Sequence, residues 1–143
     1  MLSLEENKAI VRHFLEALNK QDLSSLSDFV APDYLDHTNQ FQGLDSVKQA
    51  ITSVYKGFPD FHVTIEDIIA EGEKVWVRET ETGTHRGEYQ GIAPTGKKMT
   101  FTCVDTFKIV DGKVAEAWHV YDFLEFYRQL GVIDYKGFLE EDS

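Results

Sequence analysis

CVDTFKIVDGKVAEAWHVYD, residues 103–122, is the stretch whose reading decides the fold. It reads as two strands around a turn, and the pairing register determines whether Asp105, His119 and Tyr121 face water or an interior. A two-residue loop at Asp111-Gly112 is a favoured hairpin signal, but its register sets Phe107 with Glu116 and Asp105 with Trp118 and mixes polar and apolar residues on both faces. A three-residue loop, Val110-Asp111-Gly112, pairs Ile109 with Lys113. It gathers Phe101, Cys103, Asp105, Phe107 and Ile109 beside Ala115, Ala117, His119 and Tyr121 on one face. A one-residue slip turns a whole strand over, so the register that buries a coherent apolar face is preferred. The second reading does so and aims Asp105, His119 and Tyr121 inward. A buried carboxylate must be paired, hydrogen-bonded or protonated, and His119 and Tyr121 are the partners at hand. Ala115 and Ala117 leave space beside them, which fits a cavity better than a filled core. An Asp–His pair that merely ties two strands together, with Tyr121 a core aromatic, satisfies the same alternation.

Before this hairpin the pattern is helical. Residues 3–19, SLEENKAIVRHFLEALN, place Ile10, Phe14, Ala17 and Leu18 on one stripe, widened by Val11 and Leu15. Ser3 and Glu6 form a capping-box signature at its start. A short second helix is expected over LSSLSDFV, ended with help from Pro32, and a third over LDSVKQAITSVYKGFP, stopped by Gly57 and Pro59. After Pro59 the period becomes alternating: FHVTIEDIIAEG and KVWVRETETGTH are expected strands, and RGEYQGIAPTGKK a loop or irregular hairpin. FLEFYRQLG begins a last helix. Helices first and antiparallel strands after indicate an α+β domain, taken as a single domain over residues 1–143.

Composition narrows the function. A net charge of −11 with no basic stripe argues against nucleic acid. No apolar run of about 18 residues is present to span a membrane, and the acidic, helical N-terminus is unlike a signal peptide. One cysteine, Cys103, fits a reducing compartment, so a soluble cytoplasmic protein is expected. Motifs for a P-loop, a dinucleotide fold, a nucleophilic serine or a zinc protease are missing. A metal held by His37, Asp105 and His119 is possible in principle, but no metal or cofactor is expected. His13 and His62 read as surface or packing residues.

GTHRGEYQGIAPTGKKMTFTCVDTFKIVDGKVAEAWHVYD, followed by RQLG, resembles the SnoaL-like polyketide cyclase family of the NTF2-like superfamily. ENKAIVRHFLEALNKQDLSSLSDFVAPDYLDH and FPDFHVTIEDIIAEGEKVWVR extend the resemblance over roughly residues 5–131. The resemblance implies a cone-shaped barrel: three N-terminal helices on a strongly curved antiparallel sheet, a short C-terminal helix, and an apolar pocket. It implies a homodimer through the outer sheet face, here Val104, Trp118 and Val120. It also implies cofactor-free aldol ring closure or isomerisation of a small apolar carbonyl compound. By resemblance the pocket receives His37, Asp105 and His119, with imidazole and carboxylate exchanged between strands relative to the family's usual pattern. The expected catalytic set is therefore His119 as base, Asp105 orienting it, and Tyr121 and His37 as donors. Phe14, Phe101, Cys103, Phe107, Ala117 and His85 are expected to line the pocket. Phe14 stands where related ketosteroid isomerases carry a donor tyrosine, and His85 has an alternative role in fixing its loop. Two rival readings are a non-catalytic ligand-binding protein and an epoxide-hydrolase-type enzyme, the latter needing an inward Arg78.

Overall fold

The structure is a computed structural model that describes residues 2–134; residue 1 and residues 135–143 of the expected domain lie outside the described residues. Helix α1 (Leu4–Asn19) begins with the reciprocal Ser3–Glu6 capping box, both bonds 3.1 Å. Its buried stripe is Asn7, Val11, Phe14, Leu15 and Ala17, while Ile10 and Leu18 sit half-buried at its edges. The expected second helix is shorter than its pattern. A 3₁₀ turn (Leu23–Ser25) leads into the single turn α2 (Leu26–Phe29), and the chain is already extended at Val30. Pro32 thus lies inside strand β1 (Val30–Asp36) rather than just beyond a helix. Proline biases its predecessor to extended backbone, and the β1 pairing is irregular between Val30 and Leu35.

Strand β2 (Phe41–Gln42) and helix α3 (Leu44–Gly57) follow, then β3 (His62–Glu71), β4 (Lys74–Thr84), β5 (Lys98–Val110), β6 (Lys113–Tyr121) and the short helix α4 (Phe123–Gln129). The six strands form one sheet in the order β2-β1-β6-β5-β4-β3. The sheet is mixed where an antiparallel one was expected, because β1 runs parallel to β6. Strand alternation shows which face a residue takes but not which distant strand it joins. α1 packs across the sheet, with Phe14 set edge-on to Phe107 at 5.8 Å. α3 presents Val47, Ala50, Ile51 and Val54 to a cavity between helix and sheet. This explains why its apolar face is only partly buried.

The β5–β6 hairpin corrects one expectation and keeps its consequence. The turn is the two-residue one: Val110 pairs with Lys113, and Asp111 and Gly112 both have positive φ, 51° and 77°, as the favoured hairpin geometry requires. The register then shifts between Lys108 and Ile109, so that Ile109 faces Val114 while Lys108 faces Glu116. Ala115 is left as the extra residue of a β-bulge, not on the inner face. Beyond it Asp105 pairs with His119 and Cys103 with Tyr121. β5 alternates strictly, with Met99, Phe101, Cys103, Asp105, Phe107 and Ile109 buried. The inner face is coherent because the bulge absorbs the slip that the tight turn would impose.

Candidate functional site

The cavity between the helices and the concave face of the sheet has a volume of about 860 Å³. Phe14, Phe101, Phe107, Val63 and Phe126 give it largely apolar walls, and a polar cluster sits on β1, β4, β5 and β6. At the centre of the cluster is His119. Its Nδ1 lies 2.5 Å from Asp105 Oδ1 and its Nε2 lies 3.1 Å from Asp36 Oδ2. The imidazole is 11% exposed and the carboxylates are 7% and 5% exposed.

Each member is fixed by local structure. Asp36 ends β1 and accepts from the backbone amides of Thr38 and Asn39, at 3.0 and 2.9 Å, and from Asn39 Nδ2 at 2.9 Å. This is the turn that an aspartate side chain builds with the amides two and three residues on. Thr38 clips the turn to β6: the His119 amide donates to Thr38 Oγ1 at 2.8 Å, and that hydroxyl donates to the His119 carbonyl at 3.2 Å. Asp105 also accepts from the Cys103 thiol, 3.0 Å away. Tyr121 stacks on the imidazole with centroids 5.4 Å apart.

Electrostatics follow from this packing. Burial would lower the His119 pKa, but hydrogen bonds and charge from Asp105 and Asp36 outweigh it and raise it to about 10. Burial pushes Asp36 up, yet the bond to His119 and the Asn39 contacts hold it at about 2. Asp105 is likewise lowered against its burial, chiefly by His119. The resting site is thus an imidazolium clamped by two carboxylates. In that form both ring nitrogens carry hydrogen, so the ring can donate. Tyr34 and Tyr121 line the same cavity, and burial, reinforced by Asp105, keeps both hydroxyls protonated.

Two glutamates on β4 complete the floor. Glu79 and Glu81 share a face with Val75 and Val77 and line the cavity. Glu79 is 1% exposed, and its Oε1 has no hydrogen-bond partner among the described residues. Burial first, then the neighbouring Asp105, drives Glu79 strongly upward. The same two causes raise Glu81 to about 8. Donor atoms of Glu79, Glu81 and Cys103 lie within 4.8 Å of one another, a spacing that could enclose a cation. The Cys103 thiol, however, donates its hydrogen to Asp105 and is pushed up by burial.

The model of the SnoaL-like polyketide cyclase family matches residues 8–130. The chain belongs to this family. Among curated relatives of this SnoaL-like protein are the aklanonic acid methyl ester cyclase DauD of Streptomyces sp. (strain C5), 29% identical over 129 residues covering 85% of this chain and 80% of that one. The nogalonic acid methyl ester cyclase of Streptomyces nogalater is 26% identical over 123 residues, 82% and 91% of the two chains. Among solved structures, TsrD from Streptomyces laurentii superposes with a TM-score of 0.86 at 29% identity, covering 93% of this chain and all of that one. AclR from Streptomyces galilaeus, a proposed hydroxylase, gives 0.83 at 31% identity, covering 92% and 84%. The fold of the family, an α+β cone, is the fold described above.

Within this SnoaL-like frame Asp105, His119 and Tyr121 come together, and Phe14, Phe101 and Phe107 line the cavity. His37 does not join them. It stacks on Trp118 at 4.5 Å and bonds Glu116 at 2.8 Å on the outer face. Side chains alternate along β1, so Tyr34 and Asp36 point in where Leu35 and His37 point out. Asp36, its neighbour in the Asp-His pair, is the residue the sequence reading missed. Cys103 and Ala117 are buried in the sheet behind the lining residues. His85 is fully buried away from the cavity lining, packed on Phe58 at 5.2 Å and accepting from the Thr95 amide at 3.2 Å. It fixes the loop. Arg78 points outward to Asp67, 2.6 Å away, which removes the inward guanidinium that an epoxide-hydrolase-type site needs. No helix among the described residues is long and apolar enough to cross a membrane.

Proposed function

We propose that this chain closes a ring in a small apolar polyketide-like substrate by cofactor-free intramolecular aldol chemistry. The observation that carries the reading is the imidazolium of His119 held between Asp105 and Asp36 in the wall of an apolar cavity. At neutral pH a histidine with a pKa of about 10 is neutral in about one molecule in a thousand, so it is a poor base and a good donor. The longer of its two contacts, to Asp36, is the one a substrate carbonyl can displace. Nε2–H then donates to the carbonyl oxygen, and Asp36 loses its main counter-charge inside an apolar site, which raises its basicity. Asp36 takes the α-proton, and His119 holds the enolate oxygen with Asp105 fixing the ring. The enolate carbon attacks the second carbonyl, and the proton returns from Asp36 to the new alkoxide. No atom is lost, so the product has the mass of the substrate.

The test is incubation with aklanonic acid methyl ester, the substrate named for several relatives. The expected result is a product of unchanged mass and altered absorption, with Asp36→Asn slower by about 10²- to 10⁴-fold. A wild-type rate in Asp36→Asn would refute this assignment. Ligand binding with no turnover of any linear polyketide ester would make the protein a binder instead. Two copies are expected to pair through the outer sheet face, where Val104 and Val120 are 37% and 70% exposed beside Trp118. The buried, unpaired Cys103 fits a cytoplasmic setting.

A further inference from the structure

We infer that Tyr34 is the hydrogen-bond donor for the second carbonyl of the ring closure, holding the oxygen that becomes an alkoxide while His119 holds the enolate oxygen. The inference rests on the aldol reading of the site and deepens it, because that reading leaves the attacked carbonyl without a donor of its own.

Two observations carry it, one of availability and one of position. Tyr34 is 4% exposed and lines the cavity, yet its hydroxyl has no hydrogen-bond partner among the described residues. The oxygen is not sealed in the wall, since the little surface the residue keeps includes it. An unpaired hydroxyl in a largely apolar wall costs free energy until an acceptor reaches it. The other hydroxyls on the lining are engaged: Ser53 donates to the Gln49 carbonyl at 3.2 Å, Tyr89 accepts from Gln90, and Tyr121 meets the Asn39 side chain.

Position comes from the parallel pairing of β1 with β6, which sets Asp36 opposite Ala117. His119 therefore lies two residues ahead of Asp36 along the strands and Tyr34 two residues behind it, all three facing the cavity. Each step is about 7 Å, so the Asp36 carboxylate stands between an imidazolium and a phenol. Burial first, and then the charges of Asp36 and Asp105, keep the phenol protonated, and those charges reach it because it lies at the polar cluster.

An aldol addition needs donors in that order. The carbon that loses its proton to Asp36 ends up bonded to both carbonyl carbons, so their oxygens flank the carboxylate on either side. The enolate electron pair forms the new C–C bond, and the π pair of the attacked C=O moves onto its oxygen. Tyr34 donates a hydrogen bond to that oxygen and keeps its own proton, while the proton held by Asp36 completes the new hydroxyl. A carbonyl is activated only where it meets Tyr34, so the same contact selects which carbonyl of a polyketone is attacked.

The test is Tyr34→Phe, which removes one oxygen that no protein group depends on, assayed with aklanonic acid methyl ester in heavy water. Ring closure is followed together with deuterium in the recovered ester, corrected for enzyme-free exchange. The expected result is closure slowed about 10²-fold. The recovered ester should gain deuterium at or above the wild-type rate, because Asp36 and His119 still form the enolate and it returns to substrate. The unfolding midpoint should stay at or above that of the wild type, whereas a hydroxyl with a structural bond would lower it. Asp36→Asn is the contrast, losing exchange and closure together. Closure in Tyr34→Phe within about threefold of the wild type overturns the inference alone. Slowed closure with no deuterium in the recovered ester does so too, since it places Tyr34 in enolate formation or in the fold. A wild type that neither closes nor exchanges the ester overturns the aldol reading beneath it.

Discussion

His119 is expected to make this protein lose stability on the alkaline side through a group that ordinarily contributes nothing there. Its folded pKa, about 10, stands about 3.5 units above the ordinary 6.5. A raised cationic group stabilises the fold fully below its unfolded value and loses that contribution as pH rises through its folded one. The full contribution below pH 6 is about 5 kcal/mol, at 1.36 kcal/mol per unit. At pH 7 about 4 kcal/mol of it remains, because the unfolded histidine is already largely neutral there. By pH 11 the contribution is close to zero. The depressed Asp36 describes the same ion pair from the other side, present above pH 3.8 and lost as pH falls through about 2. The two are therefore not additive.

The assay is urea unfolding of wild type and His119→Gln at pH 7, 9 and 10.5, because the difference between them cancels the titration of lysines and tyrosines. Glutamine still donates one hydrogen bond but cannot carry the charge. The gap should narrow by about 3 to 4 kcal/mol across that range. Proton NMR of His119 gives the value directly, and Asp105→Asn should move it at least about 2 units toward 6.5. A gap independent of pH, or a His119 resonance titrating below pH 7, would refute the ion-pair reading and restore His119 as a base.

Three further outcomes are expected. Gly87→Ala would place a Cβ 2.0 Å from the Lys56 carbonyl oxygen, at the point where the Arg86 and Gly87 amides bond the Gly57 carbonyl, so it should destabilise by about 3 kcal/mol in a thermal melt. Val120→Asp puts a charge on the most exposed valine of the outer face and should convert a dimer to a monomer by light scattering, leaving the monomer's melting midpoint nearly unchanged. His37→Ala should leave turnover within about twofold and cost less than about 1 kcal/mol, because its partner Glu116 is on the outer face and both are about one-third exposed. A collapse of activity in that variant would put His37 back in the reaction.

Much of this site was legible in the hairpin because burial, not the turn, controls register. The preferred three-residue loop is absent and would have set Asp105 opposite Ala117, yet Asp105 and His119 still share the inner face, since the bulge at Ala115 turns β6 back over after the tight turn and brings the two directly opposite each other. Turn chemistry and face chemistry are separate constraints, and only the second had to be met at the site. Asp36 was hidden for a different reason. Which member of the Asp-His pair turns inward depends on the parity of β1, and β1 joins the sheet through a parallel contact to β6 that no local pattern announces. Glu79 and Glu81 continue the Val75, Val77 alternation, but the sequence left the facing of Glu79 open and did not single out Glu81. Carboxylates at such positions read as solvent-facing until the strand beside them shows that the face is closed.

The placement of the carboxylate on β5 and the imidazole on β6 has a consequence for how the work is divided. With the acid on β5, at Asp105, it lies against Cys103 and the β4 glutamates, deep in the sheet. With the imidazole on β6, it lies next to β1 and meets Asp36 at the cavity wall. The inner carboxylate is thereby committed to holding the imidazolium, and the outer one is the group a substrate can reach. Burial first, and then the charge of Asp105, push the β4 glutamates toward their protonated forms. On the proposed mechanism one cation between two carboxylates divides the work: Asp105 anchors the ring and Asp36 exchanges the proton. Replacing His119 by a neutral residue should therefore do more than remove a donor. It should raise Asp36 and Asp105 together, since both are held down by the same ring.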